Sequence, residues 1–157
     1  MTTCHTLQEA YDYSLQNGVI IVVAAGNQGC IGNVSLINHQ WVIPVAACNE
    51  NGELDPTSNY GPSIGNRGVM APGTNIRSTF PGGQYTRMNG TSFAAAFVTA
   101  TLALLWSVFP STSATELIHC LRIGSSNGRH RSITPSLLNV ETTYHLLETL
   151  IKYNWYN

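Results

Sequence analysis

The chain has 157 residues, a length that suits one domain with a buried core. Its formal net charge of −1 excludes the strongly positive field of a nucleic-acid-binding protein, so we expect no nucleic-acid partner. Charged residues make up 10% of the chain, whereas soluble domains average about 25%. This low charge predicts that much of the surface is covered, either by a missing part of a larger domain or by a partner.

The first half of the chain alternates helical and strand patterns. A capping-box pattern predicts an amphipathic helix over residues 7–16. Two apolar runs rich in β-branched residues, 19–25 and 41–47, predict strands buried on both faces, as in a parallel sheet. The stretch 49–68 is rich in turn-forming residues.

The second half adds a hairpin and three helices. In chain order the patterns predict a short strand at 69–71, a hairpin of strands 76–80 and 84–88, and helices at 91–108, 113–121 and 138–150. A loop is predicted from 124 to 135. This order of helices and buried strands predicts an α/β fold, with a mostly parallel sheet and helices on both faces.

The helix at 91–108 is unusual because no charged residue lies between Arg87 and Glu116. A membrane span is one explanation, since 17 residues from Phe93 to Phe109 come close to the required length. Hydroxyl residues interrupt this run, however, and no basic residue flanks its end. We therefore favour a helix in the centre of a domain, with no membrane association.

The residues around this helix start suggest acyl-transfer chemistry. A serine hydroxyl needs a base to become a nucleophile. At the start of a helix, the backbone N–H of Ser92 would also face the negative charge that develops on an attacked carbonyl. Asn27, between Gly26 and Gly29, would place a side-chain amide as a second donor. Each tripeptide alone is usually a turn or a strand end, but the two together favour an oxyanion site.

Three motifs occur in the order found in the C-terminal half of a subtilisin-family serine peptidase domain, which the chain resembles. They are Ala24-Ala25-Gly26-Asn27, Met70-Ala71-Pro72-Gly73 and the Asn-Gly-Thr-Ser-x-Ala run at 89–94. The resemblance extends from about residue 6 to residue 147. The Asn59-Tyr60-Gly61 turn also resembles the cyanobactin-maturation peptidases, which cut ribosomal precursor peptides.

The resemblance implies both a fold and a set of site residues. Residues 1–157 would form one partial subtilisin-like domain, with only its C-terminal part present. Ser92 would be the nucleophile and Asn27 the side-chain oxyanion donor. Ala24, Ala25 and Gly26 would line the pocket for the substrate residue before the scissile bond. The implied substrate is a peptide or protein, hydrolysed through an acyl-enzyme.

The family's other two catalytic residues are not found in this chain. Subtilisins carry Asp, then His, then Ser in chain order, and the region that matches here begins after the first two. The five histidines are interpreted as surface or cap residues. We therefore expect the chain alone to be a very poor peptidase, completed by a missing N-terminal half or by a second chain that supplies Asp and His. The alternative is a non-catalytic remnant that binds peptides or subunits.

No metal or cofactor is expected. The four cysteines lack zinc-ligand spacing and are interpreted as free, mostly buried thiols in a reducing compartment. No oxygen-rich loop has the spacing of a calcium site. Polar residues follow Met1, so the sequence gives no sign of a signal peptide, and a cytoplasmic location is expected rather than secretion.

Overall fold

The structure is a computed structural model that describes residues 5–32, 37–126 and 132–154. Within these residues lie five helices and six strands. In chain order they are α1 (His5–Gln16), β1 (Ile21–Ala24), β2 (Val42–Cys48), α2 (Pro62–Arg67), β3 (Val69–Pro72), β4 (Ile76–Phe80), β5 (Gln84–Met88), α3 (Thr91–Val108), α4 (Ala114–Ser126), β6 (Ser136–Leu137) and α5 (Val140–Asn154).

The central sheet is parallel, as predicted. Its strands lie in the order β1-β2-β3-β6, with Ile21 opposite Val42 and Val45 opposite Val69. Strands β4 and β5 form a separate antiparallel hairpin. Because all four sheet strands run in the same direction, the loops that follow β1, β2 and β3 emerge at one edge of the sheet.

Helices cover both faces of the sheet, which confirms the predicted α/β layering. All seven residues of β2 are buried. Ile43 and Val45 belong to the main core, which includes residues of α3, α4 and α5. Ala46 points to the opposite face and packs with Ile37 and with Ile64 of α2. Alternation along one buried strand therefore supplies two cores.

Helix α3 packs along the sheet through one apolar stripe, and its opposite side is exposed. The stripe consists of Ala94, Val98, Leu102 and Leu105. On the outer side, Leu104 is 69% exposed and Val108 is 55% exposed. Among the described residues, α3 is the one helix that is long and apolar enough to cross a membrane, with 18 residues and a mean hydropathy of 1.7. It packs on β2 through the apolar stripe alone, so the expectation of a helix in the centre of a domain holds for that face and not for the exposed side.

Strand β1 differs from the sequence prediction of a strand buried on both faces. All four of its residues are only half-buried. The reason is its position, because among the described residues no strand pairs with its outer edge. An apolar groove of about 340 Å³ lies between β1 and α3, and Val19, Val22, Leu102 and Trp106 contribute to its walls.

Two further predictions were wrong in detail. Helix α2 lies inside the stretch 49–68, which is rich in turn-forming residues and for which no helix is predicted. Helix α4 continues past its predicted end at 121 through Gly124 to Ser126, and β6 lies just beyond the end of the predicted loop. The middle of that loop, residues 127–131, is outside the described residues.

Gly124→Ala should destabilise the fold, although alanine is normally favoured over glycine in a helix by about 1 kcal/mol. A Cβ at position 124 would lie 2.8 Å from the backbone nitrogen of Thr143 and 3.0 Å from its Cα. Helices α4 and α5 would have to separate, at a net cost of about 1–3 kcal/mol. Urea unfolding of the variant measures this loss.

The matched control is Thr115→Ala, which changes an exposed residue of the same helix. Its stability should stay within about 0.5 kcal/mol of the parent. A Gly124→Ala chain as stable as this control would contradict the close packing of α4 against α5.

Candidate active site

Glycines bring the start of α3 onto the carboxyl edge of the sheet. The N–H of Gly73, directly after β3, donates to the carbonyl oxygen of Cys48 at 3.0 Å, and the N–H of Gly90 donates to that of Gly73 at 2.8 Å. A Cβ on Gly73 would lie 2.6 Å from the Cβ of Ala47. Only glycine fits at this crossing, so residue 73 fixes how closely the helix start approaches the strand ends.

Gly90 makes the turn into α3. Its φ of 149° lies in a region that favours glycine, and the residue is buried. A Cβ there would lie 3.4 Å from the Nδ2 of Asn27. The turn therefore positions the first residues of α3 directly beside the loop that follows β1.

A clamp joins Asn27 to Thr91, the first residue of α3. The side-chain oxygen of Asn27 accepts from the Thr91 N–H at 2.9 Å and from the Thr91 hydroxyl at 3.0 Å. The Thr91 hydroxyl in turn accepts from the Gly26 N–H at 3.2 Å. Because a backbone N–H can only donate, the clamped atom of the carboxamide must be its oxygen. Its NH₂ group has no hydrogen-bond partner among the described residues.

Ser92 is the second residue of α3, and its side chain is exposed. Neither its hydroxyl nor its backbone N–H is hydrogen bonded within the described part of the chain. The N–H is one of the donors that a helix leaves free at its start, and the first turn contains no acidic residue to offset the helix dipole. Two free donors, the Ser92 N–H and the Asn27 NH₂, thus flank one exposed hydroxyl.

The residues predicted to line a pocket lead directly into the clamp. Ala24 ends β1 and is half-buried. Ala25 is buried, and its N–H donates to the carbonyl oxygen of Val45 at 2.8 Å. Gly26 turns the chain with a φ of 101°. The structure therefore places these three residues on the β1 side of Ser92.

The Asn59 side chain is hydrogen bonded to the loop that contains Asn27, a role that the sequence analysis did not assign to it. It is 3% exposed. Its side-chain oxygen accepts from the N–H groups of Gln28 at 3.0 Å and Cys30 at 3.2 Å, and its NH₂ donates to the Ala25 carbonyl at 3.1 Å. Its partners lie about 30 residues away in sequence, and no local pattern marks such a contact.

Asp55 connects the loop that follows β2 with the loop that follows β3. It is 7% exposed, and its carboxylate accepts from the Thr57 hydroxyl and the Thr74 hydroxyl, each at 2.6 Å. These two hydrogen bonds, with the Thr57 bond the larger cause, hold the pKa of Asp55 below its usual value. The carboxylate thereby ties the loop after β2 to the residue that follows Gly73.

One histidine lies in an unexpected environment. His39 is buried, contrary to the interpretation of the histidines as surface or cap residues, and its Nε2 lies 3.2 Å from a carboxylate oxygen of Asp12. His39 lies at the amino end of β2, whereas Ser92 lies at the carboxyl edge. Seven residues of strand separate these ends by about 20 Å. The His39–Asp12 pair is therefore too far away to act on Ser92.

The described residues offer no other obvious base or metal centre. His119 and His145 are exposed on α4 and α5, and His145 lies 3.8 Å from Glu148. Within the described ranges, no group of His, Cys, Asp and Glu side chains is arranged to hold a metal ion. The described cysteines are free thiols: Cys48 and Cys120 are buried, and Cys30 is exposed.

A parallel sheet with helices on both faces is the fold that the resemblance to the subtilisin family implies. The chain belongs to the subtilase family, whose peptidase S8 model matches residues 2–132. It is 34% identical over 140 residues to subtilisin DY of Bacillus licheniformis, covering 86% of this chain and 50% of that protein.

Solved structures confirm the predicted subtilisin-like fold. The patellamide maturation protease PatA superposes with a TM-score of 0.81 at 30% identity, covering 92% of this chain and 57% of that one. The prenylagaramide maturation protease PagA gives a TM-score of 0.81 at 25% identity, covering 89% and 55%. The predicted resemblance to maturation proteases is confirmed. The chain spans about half the length of these proteins.

Asn59→Ala should loosen the Asn27 loop. The change leaves the N–H groups of Gln28 and Cys30 without their acceptor, at a cost of about 2–3 kcal/mol in the free energy of unfolding. Hydrogen exchange of these two amides should accelerate more than that of β2. The control is Gln28→Ala, which removes only the 2.8 Å contact to the Asn59 NH₂. Equal losses in both variants would contradict this role of Asn59.

Asp55→Asn should reduce the acid sensitivity of the fold. Since the folded pKa of Asp55 is lowered, its carboxylate stabilises the fold fully above the unfolded pKa of about 3.9 and loses this effect as the pH falls through the folded pKa. The variant should lose about 2 kcal/mol at pH 7 and lose less than the parent on acidification. Urea unfolding between about pH 3 and pH 7 measures both.

The exposed Glu53→Gln variant is the control for this pH series. Glu53 contacts only the nearby Asn49 through its side chain, so its pH profile should match that of the parent. Some acid sensitivity should remain in Asp55→Asn, because hydrogen bonds from Ser113 also lower the pKa of Glu116. If the stability of Asp55→Asn depended on pH as that of the parent does, the hydrogen bonds of the Asp55 carboxylate would not contribute to the acid sensitivity of the fold.

Proposed function

We propose that this chain is the nucleophile-bearing part of a serine endopeptidase that hydrolyses peptide bonds through an acyl-enzyme. Ser92 is the nucleophile in this proposal, and its N–H and the Asn27 NH₂ bind the oxyanion. The observation that carries the proposal is the Thr91–Asn27 clamp. It occupies the carboxamide oxygen and leaves the NH₂ free beside the exposed serine.

The chemistry follows from these donors. Attack by the Ser92 oxygen converts the substrate carbonyl into a tetrahedral intermediate with a negative oxygen. Donors that already point to this oxygen stabilise it without reorganisation. In subtilisin itself, loss of the asparagine donor lowers kcat by about 10²–10³-fold. The clamp explains how such a donor keeps its direction here, since rotation of the carboxamide would break both bonds to Thr91.

The proton of Ser92 must go to a base, and we propose that this base comes from outside the 157 residues. The described His–Asp pair, His39 and Asp12, lies at the wrong end of the sheet. Another part of a longer protein or a second chain would supply a histidine and the aspartate that orients it. In subtilisin, loss of the histidine lowers kcat by about 10⁶-fold, so the chain alone should cleave peptides very slowly.

The substrate is a peptide or protein. We propose that Ala24, Ala25 and Gly26 form a wall of the pocket for the residue before the scissile bond. Ala24 is half-buried at the end of β1, and the chain turns at Gly26 with a φ of 101°, directly before Asn27. The acyl part of the substrate would therefore lie on the β1 side of Ser92. No cofactor and no metal take part in this proposal.

A fluorophosphonate probe tests the proposal, because it reacts with a serine only when the serine is activated. We expect no appreciable labelling of the chain alone. Labelling should occur when the chain is mixed or co-expressed with a subtilase fragment that carries the Asp and His. Ser92→Ala should abolish this labelling. Intact-mass spectrometry with peptide mapping identifies the labelled residue.

Two variants of Asn27 separate the donor from the clamp. Asn27→Asp keeps an acceptor for Thr91 but removes the NH₂, and Asn27→Ala removes both. Each should slow labelling by about 10²-fold or more, and Asn27→Asp should do so without an equal loss of stability. An absence of labelling in the complemented mixture would favour a non-catalytic binding remnant. Labelling of the chain alone at Ser92 would refute the need for an outside base.

A further inference from the structure

The β4–β5 hairpin carries two arginines directly opposite each other on one face. The strand register pairs Arg77 with Arg87, and both side chains are exposed. Opposite residues of an antiparallel pair have Cβ atoms about 4.5–5.5 Å apart, and like charges in this position are destabilising. We therefore expect the repulsion between Arg77 and Arg87 to reduce the stability of the hairpin.

Neither arginine has an acidic partner in the described part of the chain. The ion pairs found there involve His39, His145 and Lys152. The Arg87 guanidinium donates to the Asn75 carbonyl at 3.0 Å, and that of Arg77 lies 5.0 Å from the ring centre of Tyr85. These contacts orient the two groups and leave most of their N–H donors unused.

The two other described arginines behave differently. Arg67 donates to the carbonyl of Ile37 at 2.8 Å and to that of His39 at 2.6 Å. Arg122 donates to the carbonyl of Arg67 at 3.0 Å. Both are used inside the protein, as connections between loops. Only the hairpin pair, among the arginines that the structure describes, presents its donors to solvent.

The hairpin is bonded to the segment that carries Ser92. Its first strand follows Gly73, and its second strand leads through Asn89 into α3. The Asn89 side chain accepts from the Asn75 N–H at 2.6 Å, and the Gly90 N–H donates to Gly73. The hairpin therefore follows strand β3 of the central sheet in the chain. The Ala24–Asn27 loop leaves the sheet at β1, on the other side of Ser92.

A cavity of mixed polar and apolar lining lies beside Arg87, and Arg77 is not among its lining residues. Its volume is about 480 Å³, and Arg87 lines it together with Asn49, Asn51 and Asn75. Glu50 also lines it but is not within 4.0 Å of either arginine in the recorded ion pairs. The cross-strand register places Arg77 next to Arg87, and guanidinium groups pair well with carboxylates, so a carboxylate of a bound peptide would have to compete, among the described residues that line this cavity, only with Glu50.

We propose that Arg77 and Arg87 bind an acidic side chain of the peptide substrate on the leaving-group side of the scissile bond. The binding of an acidic peptide rests on the arginine pair alone. Its assignment to the leaving-group side rests on the proposed function, because the acyl part is assigned there to the β1 side. The charge of a bound acidic side chain would offset the repulsion between the two guanidinium groups, and Arg87 lies five residues before Ser92 in the chain.

Fluorescence anisotropy with the Ser92→Ala chain tests the binding without any catalysis. The probes are two labelled hexapeptides that differ only in carrying two adjacent Glu or two Gln residues. We expect the Glu peptide to bind about five- to tenfold more tightly at low ionic strength. This preference should shrink severalfold when salt is raised from about 20 mM to about 300 mM.

Charge-neutral variants locate the site. The preference for the Glu peptide should be lost in the double variant Arg77→Gln/Arg87→Gln. It should persist in Lys152→Gln, which neutralises an exposed cation on α5. Glu50→Gln should strengthen binding of the Glu peptide. Equal binding of the two peptides, or an equal loss in Lys152→Gln, would overturn the proposal. Tighter binding of a single-stranded oligonucleotide through the same arginines would also overturn it.

A separate experiment determines on which side of the scissile bond the acidic residue binds. It uses the chain complemented with the fragment that carries the Asp and His. Peptides with Glu after the cleavage site should have a lower KM than peptides with Glu before it, and the double variant should remove the difference. The reverse preference would overturn the leaving-group assignment. Failure of the complemented enzyme to cleave would count against the proposed function, while the anisotropy result would still decide acidic-peptide binding.

Discussion

The geometry of the site depends on one acceptor atom, the side-chain oxygen of Asn27. It accepts hydrogen bonds from both the N–H and the hydroxyl of Thr91, and Asn27 and Thr91 are 64 positions apart in the chain. A buried threonine, with no exposed surface, thus has both of its donors satisfied by a residue on another loop. Among the described residues, the other hydrogen bond between the start of α3 and the loop after β1 is the one from the Gly26 N–H to the Thr91 hydroxyl.

The remaining loops of the carboxyl edge are held by similar long-range polar contacts. Asn59 supports the Asn27 loop, and Asp55 joins the loop after β2 to Thr74. Each uses a buried polar side chain as a connector in place of apolar packing. Buried polar networks of this kind specify one arrangement because each unmatched donor or acceptor is costly. The nucleophile is therefore placed by neighbouring loops as well as by its own helix.

Those elements that were correctly predicted are the ones whose signals are local. Each of these signals lies within a single segment: the apolar runs at β1 and β2, the Ser113–Glu116 capping box and the charge-free run of α3. The capping box is present in the structure, with the Ser113 hydroxyl 2.7 Å from the Glu116 carboxylate. Helix α2 was missed because it has only six residues and contains Gly65, which packs against the Ser132 backbone. Strand β6 has two residues and exists only through its pairing with β3.

The site divides in the same way. Ser92, Asn27 and the Ala24–Gly26 wall were named from motifs, and the structure brings the first two beside one clamp. The functions of Thr91, Asn59 and Asp55 depend on partners that are distant in sequence, so no pattern within one segment reveals them. The burial of His39 was not predicted for the same reason, because its contacts with Asp12 and with the ring of Tyr11, 5.1 Å away, are to residues of α1 that are distant in sequence.

The half-buried state of β1 has a thermodynamic consequence. Its outer edge presents backbone donors and acceptors, and the adjacent outer side of α3 presents large apolar side chains such as Leu104. Any molecule that covers this surface in the folded state and not in the unfolded state adds a free energy that grows with the logarithm of its concentration. The free energy of unfolding of the isolated chain is therefore a lower bound on its value when this surface is covered. Its melting temperature becomes a quantity to be quoted together with the concentration of whatever is bound there.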